Sequence, residues 1–157
     1  MLSISGKFTV KIIREGRVAF EQSFSNGIVD EGKTALLETT FKAGTQSTWY
    51  CGLIDTITTL SNADTMASHA GWTEFADYTG GVRLAWGPDT AADKSITNTT
   101  IVEFTASDSG TVDGVFITSD NTISGTTGVL WSTAAYDTPP TVVASDKIQV
   151  IYTVTIN

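Results

Sequence analysis

The chain has little of what most catalytic and metal-binding sites are built from. Its 157 residues include one histidine and one cysteine, and the nine lysines and arginines are outnumbered by seventeen acidic residues. A single cysteine cannot form an internal disulfide, and one cysteine with one histidine cannot supply the usual set of zinc ligands. The sequence therefore predicts neither a disulfide-stabilised scaffold nor a zinc site.

Basic clusters and long apolar runs are also missing. The net charge is −8 and the cations are scattered from Lys7 to Lys147, whereas nucleic-acid binding needs grouped cations that neutralise phosphates. No run of about 18 apolar residues exists, so no membrane-spanning helix is predicted. The first residues carry charge early and have too short an apolar run for a signal peptide. We therefore expect synthesis in a cytoplasm, with no nucleic-acid or membrane contact.

Threonine and short apolar segments are what the chain has in abundance. The 27 threonines favour pleated, half-buried surfaces. Alternating or continuous apolar segments recur between turn-forming clusters, as strands do. These segments are residues 7–13, 17–24, 48–54, 82–86, 100–107, 112–119, 128–136 and 146–156. We predict one all-β domain over residues 1–157, an antiparallel β-sandwich of the jelly-roll kind, because a chain of this length can bury a core by itself.

One segment favours a helix, which we expect near residues 30–42. Asp30 is a suitable N-cap residue, and Leu36, Leu37 and Phe41 form an apolar stripe at helical spacing. The stripe predicts that this short helix covers one end of a sheet.

The last apolar segment is predicted to be a strand inside a sheet. Every second residue is apolar or aromatic, namely Ile148, Val150, Tyr152, Val154 and Ile156. The residues between them are mostly polar, so the apolar set should face the core.

The reactive residue types give no catalytic constellation. His69 would need a nucleophile and an orienting carboxylate, and the serines and aspartates near it are too common in this chain to mark either role. Cys51 lies in an apolar run without a neighbouring lysine or arginine, which is typical of a buried, unreactive thiol. We predict no catalytic residue, and a His69 that makes hydrogen bonds in a loop.

Acidic loops give no metal signature either. Asp108, Asp113 and Asp120 lie in loops that contain oxygen ligands of the type calcium prefers. The EF-hand spacing is absent, as are the glycine-rich loops that bind nucleotide phosphates. Because Asp, Ser and Asn are ordinary turn-forming residues, we predict no metal and no cofactor.

Residues 64–75, DTMASHAGWTEF, concentrate rare residue types. They include the only histidine, His69, together with Met66, Trp72 and Phe75. The other three tryptophans fall in predicted strands, where a core position is expected, but Trp72 lies in a long connection. Its side chain either packs under that connection or is presented to a partner, since methionine and tryptophan are enriched at interfaces. We predict Met66, His69, Trp72 and Phe75 as partner-binding residues.

Short motifs along nearly the whole chain carry a family resemblance. They are NGIVDEGK near Asn26, WYCGLID near Trp49, DTMASHAGWTEF near Asp64, R-x-A-W near Arg83, ITN near Ile96 and the closing ASDKIQVIYTVTI. In this order they resemble small structural proteins of tailed bacteriophages. The chain is most similar to the capsid decoration or cement proteins of podovirus-like phages.

The resemblance implies a β-rich protein that is not an enzyme. It implies a position on the outside of the virion, where a homo-oligomer, a dimer or a trimer, binds the phage major capsid protein and stabilises the shell by lateral contacts. A sequence pI of about 4.4 agrees with a particle exterior rather than a DNA-lined interior. The alternative is a tail-associated protein or a carbohydrate- or receptor-binding module, in which loop aromatics stack on sugars.

Overall fold

A computed structural model describes all 157 residues, and antiparallel strands dominate it. The elements in chain order are β1 (Ile4–Arg14), β2 (Arg17–Gly27), α1 (Asp30–Phe41), β3 (Trp49–Ile57), β4 (Trp72–Phe75), β5 (Leu84–Trp86), β6 (Ser95–Thr97), β7 (Val102–Thr105), β8 (Gly110–Thr111), β9 (Gly114–Thr118), β10 (Leu130–Ala135), β11 (Thr141–Val142) and β12 (Lys147–Ile156). No helix combines the length and the hydropathy that a membrane crossing requires.

Two five-stranded sheets pack against each other, which confirms the predicted β-sandwich with one short helix. The first sheet has the order β2-β1-β12, and β6 and β7 pair with successive parts of the far side of β12. The second has the order β10-β9-β3, with β4 and β5 paired along β3. The chain crosses between the sheets after β2, β5, β7 and β10, whereas β1–β2 and β9–β10 are hairpins within one sheet.

The long ladder between β1 and β12 is the centre of the first sheet. Phe8 pairs with Tyr152 and Val10 pairs with Val150, and each of the four is at most 1% exposed. The predicted central position of β12 is confirmed, since β12 has a strand on both sides. Ile156 is the exception to the predicted core face: it is 39% exposed at the end of the strand.

A tight hairpin joins β1 and β2, which lie in the predicted strand segments 7–13 and 17–24. Its two turn residues, Glu15 and Gly16, both have positive φ angles of 50° and 75°, as a type I′ turn requires. Val18 is an apolar residue of β2, yet it is 54% exposed. A shift in pairing register between Ile12 and Ile13, with Phe20 opposite Ile12, interrupts the alternation of β2 before it reaches Val18.

The bounds of α1 agree with the predicted helix, but its capping does not. Val29 is the N-cap residue and makes no side-chain hydrogen bond, while Asp30 is the first helical residue. Asp30 instead pairs with Lys33 at 3.0 Å, and its acidic side chain suits the positive end of the helix dipole.

The predicted apolar stripe of α1 is not packed against a sheet. Leu36, Leu37 and Phe41 are 38%, 57% and 80% exposed, and Gly32 is the only buried residue of the helix. The helix approaches β10 so closely there that a Cβ on Gly32 would lie 2.7 Å from the carbonyl oxygen of Trp131. The contact with β10 is therefore made at the first turn, and the later turns keep their apolar residues exposed.

A second, smaller core lies on the outer face of the second sheet. Its members are Val29, Ile54, Met66, Trp72, Phe116 and Leu130. Residues 58–71, which connect β3 to β4, and the start of α1 supply its outer side. β3, β9 and β10 are buried on both faces over most of their length, so buried residues follow one another along these strands instead of alternating with exposed ones.

A bidentate ion pair fixes the start of β12 to the end of β1. The Nε of Arg14 donates to Oδ1 of Asp146 at 3.0 Å, and its Nη2 donates to Oδ2 at 2.7 Å. The Asp146 carboxylate also accepts the backbone N–H of Val143. The hydrogen bond from Arg14 is the largest of the effects that hold the pKa of Asp146 below its ordinary value.

This pKa gives a prediction about acid stability. The pKa of Asp146 is lower in the folded chain than in the unfolded one, so its ion pair stabilises the fold above the unfolded value of about 3.9 and that contribution is lost as the pH falls through the folded value. Asp146→Asn should lower the melting temperature at neutral pH. It should also make the melting temperature fall less steeply as the pH is lowered into the acid range. Asp77→Asn, at an exposed position, is the control. If the melting temperatures of Asp146→Asn and of the unmodified chain change with pH in parallel, the prediction is contradicted.

The position of β12 gives a second prediction, that removing residues 147–157 prevents folding. Four core-facing side chains of β12 are at most 8% exposed, and each is worth about 1.5–3 kcal/mol when buried. Their sum is comparable with a domain's whole net stability of about 5–15 kcal/mol. The measurement is thermal unfolding followed by circular dichroism, with removal of residues 1–3 as control. Cooperative melting of the shortened chain would show that β12 is dispensable.

Candidate binding pocket

The structure corrects the predicted partner-binding patch. Met66, Trp72 and Phe75 are 0%, 3% and 2% exposed, so their apolar surface is already used by packing inside the chain. Met66 and Trp72 belong to the second core, whereas Phe75 belongs to the main core, so the four residues do not form one surface. His69 is half-buried and stacks on Trp72 with ring centroids 3.9 Å apart. Of the two alternatives for Trp72, packing under its own connection is the one observed.

Polar contacts hold this connection closed over the second core. The indole N–H of Trp72 donates to the carboxylate of Asp64 at 3.3 Å, and Asp64 also accepts the backbone N–H of Ser61. His69 Nδ1 lies 3.3 Å from the carbonyl oxygen of Trp72. These contacts give the histidine and the aspartate a structural role in the loop.

Glu31 joins the same connection to the helix and the sheet. Its Oε2 accepts backbone N–H groups from Leu130 at 2.7 Å and from Met66 at 3.3 Å. One carboxylate at the start of α1 thus satisfies donors from β10 and from residues 58–71. The sequence showed an acidic residue in the first helical turn but not these distant partners.

The single cysteine is buried, and Asp108 and Asp120 of the acidic loops accept hydrogen bonds from their own turns. Cys51 is 0% exposed, and burial raises the pKa of its thiol far above the ordinary value, so the thiol stays protonated at neutral pH. No group of three or more His, Cys, Asp and Glu side chains is placed to hold a metal ion. In the loop after β9, Asp120 accepts hydrogen bonds from Thr122 and Thr127, which lower the pKa of its carboxyl.

A buried ion pair, not predicted from the sequence, fastens that loop to β4. Arg83 donates from Nε and Nη2 to the two carboxylate oxygens of Glu74, each at 2.9 Å, and their side chains are 1% and 5% exposed. Arg83 also donates to the carbonyls of Asp120 and Gly125, and its guanidinium lies 5.2 Å from the ring centroid of Phe116. The available signal was an arginine within an otherwise apolar predicted strand.

Breaking this pair should be costly, because it would leave the buried Arg83 guanidinium without a counter-charge. We expect Glu74→Gln to lower the free energy of unfolding by about 3–5 kcal/mol, measured by urea denaturation. The control is Glu38→Gln, whose ion pair with Lys42 is 58% and 75% exposed and should contribute less than about 0.5 kcal/mol. If the two variants lose equal free energy of unfolding, burial does not make the Glu74–Arg83 pair more important to stability than an exposed pair.

A cavity of about 340 Å³ opens between α1 and the end of the sandwich where β1 begins and β12 ends. We call it the α1 pocket. Its walls are mainly apolar and come from both sheets and the helix: Ile4, Ala35, Leu36, Trp49, Trp86, Pro88, Ala91, Ile96, Trp131, Val154 and Ile156. The polar lining residues are Thr39, Gln46, Ser47, Lys94 and Ser95.

Three of the four tryptophans line this pocket, and core hydrogen bonds fix two of them. The indole N–H of Trp86 donates to Oδ1 of Asn98 at 2.9 Å, and that of Trp131 donates to the hydroxyl of Tyr152 at 3.0 Å. Trp49 packs against Trp131 with ring centroids 5.5 Å apart. The polar atoms of Trp86 and Trp131 are used inside the protein, so these two rings offer the pocket mainly apolar surface.

The only charged residue that lines the α1 pocket is Lys94. Lys94 is exposed and makes no ion pair. It belongs to a tight turn in which Ala92 and Ser95 exchange backbone hydrogen bonds of 2.9 and 2.8 Å, with Asp93 and Lys94 at positive φ. The backbone N–H of Ile156 donates to the carbonyl of Lys94 at 2.9 Å. This turn fixes the backbone of Lys94 beside the pocket, so an exposed cation lies at its mouth.

The exposed stripe of α1 borders the same pocket. Leu36 lines the cavity, and Leu37 and Phe41 follow on the exposed side of the helix. We call Leu36, Leu37 and Phe41 the α1 stripe. The sequence predicted these residues as an apolar set but not their exposure.

Comparison of the chain with protein-family models, with curated proteins and with solved structures found no match. What the chain binds is therefore inferred from the pocket and the stripe themselves. The pocket volume lies at the lower end of the roughly 300–1,000 Å³ that is usual for small-molecule sites. Mostly apolar walls with a few polar groups are also typical of such sites.

Proposed function

We propose that the chain is a phage virion structural protein that decorates the outside of the capsid shell and stabilises it through lateral contacts with the major capsid protein. The α1 stripe is the observation that supports docking, because Leu37 and Phe41 are 57% and 80% exposed on one short helix. Large apolar side chains that are exposed together are typical of a protein contact. The resemblance of the motifs to phage decoration proteins supplies the identity of the partner.

The physical basis of shell stabilisation would be multivalency. A rigid sandwich that contacts two neighbouring shell subunits makes its second contact effectively intramolecular. Two interfaces of roughly 800 Å² per partner then hold more firmly than either would alone. A dimer or trimer of the chain on a symmetry axis of the shell would multiply these contacts again. The net charge of −8 suits a surface directed away from packaged DNA.

The test compares the heat stability of virions assembled with and without the chain. We expect particles that lack it to release DNA at a lower temperature, and purified chain added back to restore the higher one. Phe41→Glu should fail to restore it, because a charge would be placed in the docking contact. Val18→Glu is the matched control, since Val18 is also an exposed apolar residue but lies in the β1–β2 hairpin. Equal release temperatures with and without the chain would refute the stabilising role.

One observation favours the alternative, a carbohydrate- or receptor-binding module of a tail. Trp49 is half-buried in the wall of the α1 pocket, next to Gln46 and Ser47, and an aromatic face beside polar groups is suited to stacking on a sugar. Trp72, which the sequence predicted as a partner-binding residue, is buried and cannot stack on a sugar in this way. Glycan-array binding that is lost in Trp49→Ala and kept in Phe41→Glu would favour the alternative over the capsid role.

A further inference from the structure

We propose that the α1 pocket binds an amphipathic carboxylate, such as a fatty acid, with its apolar chain among the three tryptophans and its carboxylate at Lys94. The proposal rests on the pocket alone and does not depend on the proposed role at the capsid.

The walls of the pocket specify the apolar part of the ligand. Eleven of the sixteen lining residues are the apolar ones named above, and the indole N–H groups of Trp86 and Trp131 are already engaged with Asn98 and Tyr152. A polar group placed against these apolar walls would lose water without gaining hydrogen bonds in return. An alkyl chain loses no hydrogen bonds and removes apolar surface from water.

The charge at the mouth specifies the other end of the ligand. The chain has seventeen acidic residues against nine basic ones, yet no acidic residue lines this pocket. Four of the six lysines form ion pairs within the chain, and the two that do not are Lys7 and Lys94. A cation without an acidic partner, held at the mouth of an apolar cavity, is complementary to an anionic head group.

Aromatic walls by themselves would also suit a ligand with a positively charged head group. Tryptophan faces attract quaternary ammonium groups, and a cage of three tryptophans is a plausible site for one. Lys94 opposes such a ligand, because it places a like charge beside the head group. The two ligand classes therefore make opposite predictions, and amphiphiles with the same alkyl chain separate them.

The test titrates the full chain with decanoate, decanol and decyltrimethylammonium, each below the concentration at which it forms micelles. Tryptophan fluorescence and titration calorimetry report binding, because three of the four tryptophans line the pocket. We expect one decanoate per chain. Decanol should bind about fivefold more weakly, the upper end of what an exposed ion pair contributes. Decyltrimethylammonium should bind more weakly still.

Three variants locate the site. Lys94→Ala should weaken decanoate binding about fivefold and leave decanol binding unchanged. Lys7→Ala, the other lysine without an ion pair, should change neither affinity. Ala35→Trp should fill the pocket from the helix side and abolish the binding of both ligands, while circular dichroism shows an unchanged fold.

Several results would overturn the proposal. Absence of saturable decanoate binding would exclude the site, and decyltrimethylammonium binding as tight as that of decanoate would exclude recognition of a carboxylate. An unchanged decanoate affinity in Lys94→Ala, or an equal loss in Lys7→Ala, would remove the role of Lys94. A folded Ala35→Trp chain that still binds decanoate would place the ligand outside the α1 pocket. None of these results bears on the heat stability of virions, so this proposal and the capsid role fail separately.

Discussion

Tyr152, at the middle of β12, connects the central ladder of the fold to the walls of the α1 pocket. Its ring stacks on Phe8 of the neighbouring strand, with centroids 4.2 Å apart. Its hydroxyl accepts the indole N–H of Trp131 from the opposite sheet, and its carbonyl accepts that of Trp86 at 3.2 Å. Burial raises the pKa of Tyr152 to about 12, so the hydroxyl stays neutral at physiological pH and these contacts do not titrate. Two walls of the pocket are thus set by the packing of the core.

Asn98 completes this arrangement where the pairing along β12 changes from β6 to β7. Its Oδ1 accepts the backbone N–H of Tyr152 at 2.8 Å and the indole N–H of Trp86. Its Nδ2 donates to the carbonyls of Val150 and Thr100. One side chain replaces the ladder hydrogen bonds that the interrupted strand cannot make, so the break in the sheet leaves no unpaired backbone group at Tyr152. Asn98 therefore stabilises both the break in the sheet and the buried position of Trp86.

Alternation in the sequence predicted most of the first sheet, because its strands have one buried and one exposed face. Sequence patterns were less informative for α1, where the residue that determines the packing is not part of the apolar pattern. The stripe of Leu36, Leu37 and Phe41 was assigned to a sheet contact on spacing alone, but Gly32 makes the close approach to β10 and the stripe stays exposed. Helical periodicity identifies an apolar set, and it does not say whether that set faces the chain's own core or its surroundings.

The candidate site was harder to predict, because rarity of a residue type is not a signal of exposure. Residues 64–75 are rich in rare residue types. Trp72 and Met66 are nevertheless not exposed, because they cover the outer face of a sheet that is buried on both sides. The α1 pocket gave no local signal, since its walls come from segments as distant as Ile4, Trp49 and Ile156. Its defining property is that Lys94, which has no ion-pair partner, lies beside apolar walls in a chain that is acidic as a whole. Such an arrangement arises only when the fold brings these segments together, and it is therefore a property of the topology rather than of any motif.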